Sequence, residues 1–99
     1  MEQVVKLFLR RNRITELRGL HMRHLEDLDV SENELSCFEE NFLPKLKKLN
    51  VNINQLQHLE LSSYLKISVV QAARNQLRHV PGLHPSNQLK FLNLEHNCI

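Results

Sequence analysis

The sequence predicts an open, curved, parallel solenoid of α/β type, made of five copies of a unit of about 21 residues. Three observations lead there. Leu25, Leu28, Val30, Asn33 and Leu35 fit the spacing L-x-x-L-x-L-x-x-N-x-L. Steps of 21 residues, and once of 22, find the same spacing again, in units that start at Val4, Leu25, Leu46, Ile67 and Leu89. Every apolar slot holds an apolar residue in a chain that is 41% hydrophobic, and every Asn slot (Asn12, Asn33, Asn54, Asn75, Asn97) holds Asn. Asn fills about a tenth of the chain, so chance fills those slots with odds on the order of one in a hundred thousand. A bundle of amphipathic helices would leave the fixed Asn unexplained.

The spacing has a mechanical reading. Around L-x-L each unit forms a short strand whose apolar side chains point inward by alternation. One strand cannot bury that face alone, whereas units stacked about 4.8 Å apart make a parallel sheet over a continuous core. Where the chain turns off the strand, backbone groups lose their ladder partners. An Asn amide offers both donors and an acceptor to replace them. A ladder of five Asn side chains along one edge of the core is the expected result.

The units are 4–24, 25–45, 46–66, 67–88 and 89–99, all within one domain, 1–99. The first returns through Leu17, Leu20 and Met22, with Gly19 easing a bend. The second returns through Phe38, Phe42, Leu43 and Pro44, and its EENF segment suits one helical turn before Pro44. The third returns through Leu59, Leu61, Tyr64 and Leu65. The fourth returns through Val80 and Leu83, with Pro81, Gly82 and Pro85 as breakers. About ten residues return in each unit. That is too few for a long convex helix and implies irregular or 3₁₀ segments. No polar cap is legible at either end, so the expectation is a piece of a longer array, or ends covered by something outside it. Self-association through open ends is the corresponding expectation for the chain alone.

These features make the chain similar to the leucine-rich repeat proteins over residues 4–99. Phrases such as LDVSENEL, LQHLELSS and ARNQLRHV also resemble the repeats of the PH-domain leucine-rich repeat protein phosphatases. That resemblance implies a scaffold beside a metal-dependent Ser/Thr phosphatase domain whose own motifs this chain lacks.

Composition narrows the function. A formal net charge of +2 argues against nucleic acid or an anionic membrane as partner. No apolar run approaches the roughly 20 residues of a membrane span. MEQVVKLFLRR is no signal peptide, because Lys6 interrupts its apolar part and its positive charges follow it. Cys37 and Cys98 lie in different units, with no cysteine-rich cap and no N-x-S/T sequon. The expectation is therefore a reducing, cytoplasmic location. Phosphate loops, H-E-x-x-H and nucleophile elbows are missing from the sequence, so neither an enzyme nor a cofactor is expected.

The candidate site is the concave face, where non-core strand positions form columns. One reads Lys6, Asp27, Lys48, Val69, Phe91. The next reads Phe8, Asp29, Asn50, Gln71, Asn93. Solenoids commonly hold partners on this surface. The expected contacts are Phe8, Asp27, Asp29, Asn50, Gln71, Phe91 and Asn93, since aromatics anchor interfaces and rim charges steer them. The plainer reading is a solvated face on which Lys6, Asp27 and Lys48 pair between rungs. A flank column of Glu16, Cys37, His58 and His79 has metal-ligand chemistry, but the repeat itself imposes its spacing, so no metal is expected. A protein partner bound on the concave face is the favoured function. The alternative is a regulatory scaffold segment of a larger enzyme such as a Ser/Thr protein phosphatase.

Overall fold

Alternation makes each strand short and two-faced, and the repeat stacks the strands in parallel. The computed structural model describes residues 3–85 and 87–99. Its main sheet has five parallel strands: β1 (Lys6–Phe8), β3 (Asp27–Asp29), β5 (Lys48–Asn50), β6 (Val69–Gln71) and β7 (Phe91–Asn93), in that order. Register follows the repeat, with Leu7 beside Leu28, Leu28 beside Leu49, Leu49 beside Val70 and Val70 beside Leu92. The chain is a parallel-strand solenoid of about four turns.

The core lies behind these central strand residues. Leu25, Leu28, Val30 and Leu35 are fully buried, as are Leu46, Val51, Leu56, Ile67, Val70, Ala72 and Leu77. Val4, Leu7, Leu9 and Ile14 at one end and Leu89, Leu92 and Leu94 at the other are only partly buried against this cluster. Each has a neighbouring rung on one side alone.

The Asn ladder is present. Asn54 Nδ2 donates to the carbonyls of Val30 (3.0 Å), Val51 (3.1 Å) and Asn52 (3.2 Å), while its Oδ1 accepts from the Leu35 N–H at 2.8 Å. Asn75 repeats this with Val51, Ala72, Ala73 and Leu56. Asn33 donates to Leu9, Val30 and Ser31 and accepts from the Asn12 and Ile14 N–H groups. Asn97 donates to Ala72, Leu94 and Glu95 and accepts from Leu77. Each of these amides therefore ties its own turn to the turn before it. Asn12 donates only within its own turn, to Leu9 and Arg10.

The residue before each Asn adopts a left-handed conformation. Arg11, Glu32, Ile53, Arg74 and His96 have φ between +54° and +59°. None is Gly or Asn, and Ile53 is β-branched, the type for which positive φ is least favourable.

The return side differs from expectation. Among the described residues there is no α-helix and no 3₁₀ segment, so the helical part of an α/β solenoid is not realised. Two return segments form a second parallel sheet instead, β2 (Glu16–Arg18) beside β4 (Cys37–Glu39). The helical turn read at EENF is also not formed. Glu39 ends β4, Glu40 takes φ +57°, and Phe42 bridges to His21. A left-handed residue at that point is incompatible with a right-handed turn. Gly19 does make the expected bend, at φ +76°.

Four apolar residues of the return path face out. Phe42 is exposed because its neighbour Leu43 takes the core position. Leu65 occupies a turn closed by the Ile67 N–H to Tyr64 carbonyl bond, in the slot where Pro44 begins the equivalent turn before Leu46. Val80 is exposed because the 22-residue unit shifts phase, and Leu83, one residue past the Glu60–Gly82 bridge, is exposed although Leu61 in the preceding unit is buried. Glu60 bridges Gly82, a step of 22, so Pro81 takes the buried position that Phe38 and Leu59 hold and Val80 is squeezed outward. Leu17, Leu20, Met22, Phe38, Leu59, Leu61 and Tyr64 pack on or in the core as expected.

Two stability measurements check this account. Asn54→Ala leaves the buried Leu35 N–H of the neighbouring turn without a partner and takes one of two donors from the Val30 carbonyl, and should cost about 1–3 kcal/mol. The comparison in urea melts is the exposed Gln57→Ala. Asn50 is no neutral control, because its Oδ1 accepts from the Asn52 N–H at 3.0 Å. Ile53→Asn removes a β-branched side chain from a left-handed site and should raise stability by about 1 kcal/mol. A loss of stability in that variant would show that the Ile53 side chain stabilises the fold.

Candidate functional site

The outer face of the main sheet carries the two expected columns in register. Lys6 lies beside Asp27, Asp27 beside Lys48, Lys48 beside Val69 and Val69 beside Phe91. Phe8, Asp29, Asn50, Gln71 and Asn93 follow in the same way. The inward residue between each pair is held in the core, so the outward pair cannot rotate away without losing burial.

These strand ends enclose a groove of about 230 Å³ lined by Phe8, Asp27, Asp29, Lys48, Leu49, Asn50, Val69 and Gln71. Five of the seven residues singled out in the sequence therefore meet in one place. Phe91 and Asn93 do not. They lie on β7 at the far edge, four rungs and about 19 Å from Phe8. Lys48 and Val69 join the lining although they were not among the seven. Their column had already put them on this face.

Phe8 is 62% exposed and Phe91 47% exposed. Neither contributes to the core.

Several polar members have local duties that a sequence column does not reveal. Asp29 Oδ1 accepts from the Ser31 N–H at 2.9 Å and from the Ser31 hydroxyl at 2.6 Å. Asn50 accepts from the Asn52 N–H, and Asn93 from the Glu95 N–H at 3.0 Å. These are Asx-type turns, in which a short side chain caps the backbone two residues on as it leaves the strand. The Gln71 Oε1 accepts from Asn93 Nδ2 at 3.3 Å and Asn52 Nδ2 at 3.5 Å.

Charge pairing is uneven. Among the described residues no ion pair joins Lys6, Asp27 and Lys48, although they are register neighbours. The ion pairs lie elsewhere, Arg18 with Glu39 and Glu40 on the return side and the others on flanking residues of the main sheet. Arg10 Nε donates to Glu32 Oε2 at 2.6 Å and Arg11 Nε to Glu32 Oε1 at 3.3 Å. Lys47 approaches Glu26 at 3.5 Å. The Arg10 guanidinium holds the Glu32 carboxyl below the usual carboxylate range, and Arg11 adds to this, while partial burial works against it.

Of the flank column only Glu16 and Cys37 are strand neighbours, and the Cys37 thiol is engaged elsewhere. Glu16 lies beside Cys37, whose thiol accepts from Arg18 Nη2 at 3.3 Å and donates to Glu39 Oε1 at 3.5 Å. His58 and His79 line one hollow with Glu60 and Gly82, and His58 also lines another with Cys37. Among the described residues no group of three or more His, Cys, Asp or Glu is placed to hold a metal ion. His21 stacks on Phe42, ring centroids 4.7 Å apart. No helix among the described residues is long and apolar enough to cross a membrane.

Asn41 is a functional residue of the framework that the repeat spacing missed. Its Oδ1 accepts from the Leu20 N–H at 2.9 Å and its Nδ2 donates to the Leu17 carbonyl at 3.2 Å. It does for β2 and β4 what Asn33 does for the main sheet. It occurs once, so no periodicity marks it.

No family model matches the chain, and neither a curated protein nor a solved structure matches it.

The Glu32 cluster is open to titration. The depressed carboxyl contributes stability above its unfolded value, and that contribution is lost as pH falls through the folded value. Arg10→Gln should move the Glu32 midpoint upward in side-chain carbonyl NMR, and high salt should do the same in the wild type. An unchanged midpoint in both would mean that the Arg10 contact does not persist in solution.

Proposed function

We propose that this chain is a leucine-rich repeat array of five repeats, and that it binds a protein partner on the concave face formed by β1, β3, β5, β6 and β7. One observation carries the reading: Phe8 and Phe91 stand exposed at strand positions where the fold has no packing use for them. Exposed aromatics are enriched among the anchors of protein interfaces. The polar strand ends between them supply hydrogen-bonding groups already fixed by their own turns, which reduces the ordering cost on binding. The small net charge supports a protein rather than a nucleic acid as partner. No catalytic chemistry is assigned to the chain, and the cytoplasm is the proposed location.

The reading is checked by substitution on both faces. Phe91→Ala should weaken capture of a partner by about 1–2 kcal/mol or more and leave folding stability nearly unchanged. Reversing Asp27 to Lys should mainly slow association and change its salt dependence, whereas Asp29 is kept because its Oδ1 caps the buried Ser31. Lys66→Ala, on the return side, should be silent. If both strand-face changes leave capture intact while a return-side substitution abolishes it, the binding face is the wrong one.

A further inference from the structure

Resting on the concave-face reading, we infer that the groove over β3 receives an arginine side chain of an extended protein segment whose neighbouring residues are acidic. The argument begins with the carboxylates. Asp27 and Asp29 lie on one face of a single strand, about 6.8 Å apart. The Asp27 carboxylate has neither a salt bridge nor a hydrogen bond among the described residues, and the Asp29 carboxylate commits only Oδ1, to Ser31. Beside them, in register with Asp29, stands the exposed ring of Phe8.

An aromatic face next to free carboxylate oxygens suits a cation that is planar and weakly hydrated. A guanidinium can accept a ring on its flat side while its N–H fork meets a carboxylate edge. An ammonium gains less from such a surface, being compact and strongly hydrated. The groove of about 230 Å³ has room for one side chain, and Val69 offers apolar wall to its methylene stem.

The lysines define what lies on either side. Lys6 and Lys48 are the register neighbours of Asp27 on β1 and β5, and neither is in an ion pair among the described residues. Across the rungs the face therefore reads positive, negative, positive. A segment crossing it is complementary when it reads acidic, basic, acidic, and like-charge contact disfavours other orders. Lys6 and Lys48 also repel the incoming cation, so the site selects for context rather than for charge alone.

The test uses small probes first. N-acetylarginine, N-acetyllysine and N-acetylcitrulline methylamides are titrated separately into the 99-residue chain and followed through backbone amide shifts. The arginine probe should shift the amides of Phe8, Leu28 and Asp29, lysine less, and uncharged citrulline not at all. Asp27→Asn should weaken the arginine response about tenfold. Lys48→Gln should strengthen it about two- to threefold, a gain that general loosening of the sheet would not give. Equal shifts with citrulline, shifts confined to the return side, or no shifts overturn the assignment.

A random dodecapeptide library displayed on phage supplies the second arm. Retained peptides enriched in arginine between acidic residues, and lost on Phe8→Ala, are the expected result. Peptides that depend on Phe91 but carry no such enrichment overturn the arginine site and leave the concave face as the binding surface. Peptides indifferent to Phe8→Ala, Phe91→Ala and Asp27→Asn overturn both.

Discussion

Each time the chain leaves the sheet, backbone groups that were paired along the strand are carried into an apolar interior, and one amide side chain must meet them. Everything else in the fold is arranged so that it can. The Asn amide reaches its own turn and the previous one together, so rungs are linked where the strand ladder stops. The left-handed residue before it swings the side chain inward. The strands themselves are three residues long, too short to hold the stack by ladder bonds alone. Burial draws the turns together, and the amide decides at what register they meet.

The same constraint explains which features could be read in advance. The Asn positions and inward apolar residues were legible because every turn needs them at one fixed place. The left-handed sites were not, because Arg11, Glu32, Ile53, Arg74 and His96 share no residue type. Geometry imposed by the neighbouring Asn overrides local preference there. Asn41 was hidden for the opposite reason, being a solution used once. The return segments were misread where local composition competed with phase. EENF has helical propensity, but Glu39 ends β4, Glu40 turns left-handed and Phe42 bridges to His21. Pro81 has the composition of a breaker and is buried, while its apolar neighbour Val80 is exposed.

The outer face was legible as a surface and less so as a site. Register follows from spacing, so the two columns could be written down from the sequence. What each side chain already does could not. Asp29, Asn50 and Asn93 all cap their own strand ends, and this double duty has a cost for specificity: an amide locked in a turn presents one orientation to any visitor. It also has a benefit, since a surface of pre-set donors needs no rearrangement to be recognised. Asp27, by contrast, has no structural obligation, and it lies next to the most exposed ring on that face.

The phase shift at Val80 shows where this architecture stores slack. One extra residue enters the return path, and it is expelled as a bulge without disturbing the spacing of β6 and β7 or the Asn75 and Asn97 amides. The sheet edge tolerates no such change, because a slip of one residue there would turn every inward side chain outward. Length variation is therefore confined to one side of each turn. For protein engineering, the Val80 segment is the natural insertion point for a tag, a fluorophore site or a grafted loop, with the opposite surface left undisturbed. For evolution, the same asymmetry lets turns drift in length while the rungs stay interchangeable, so units can be duplicated, deleted or shuffled as modules.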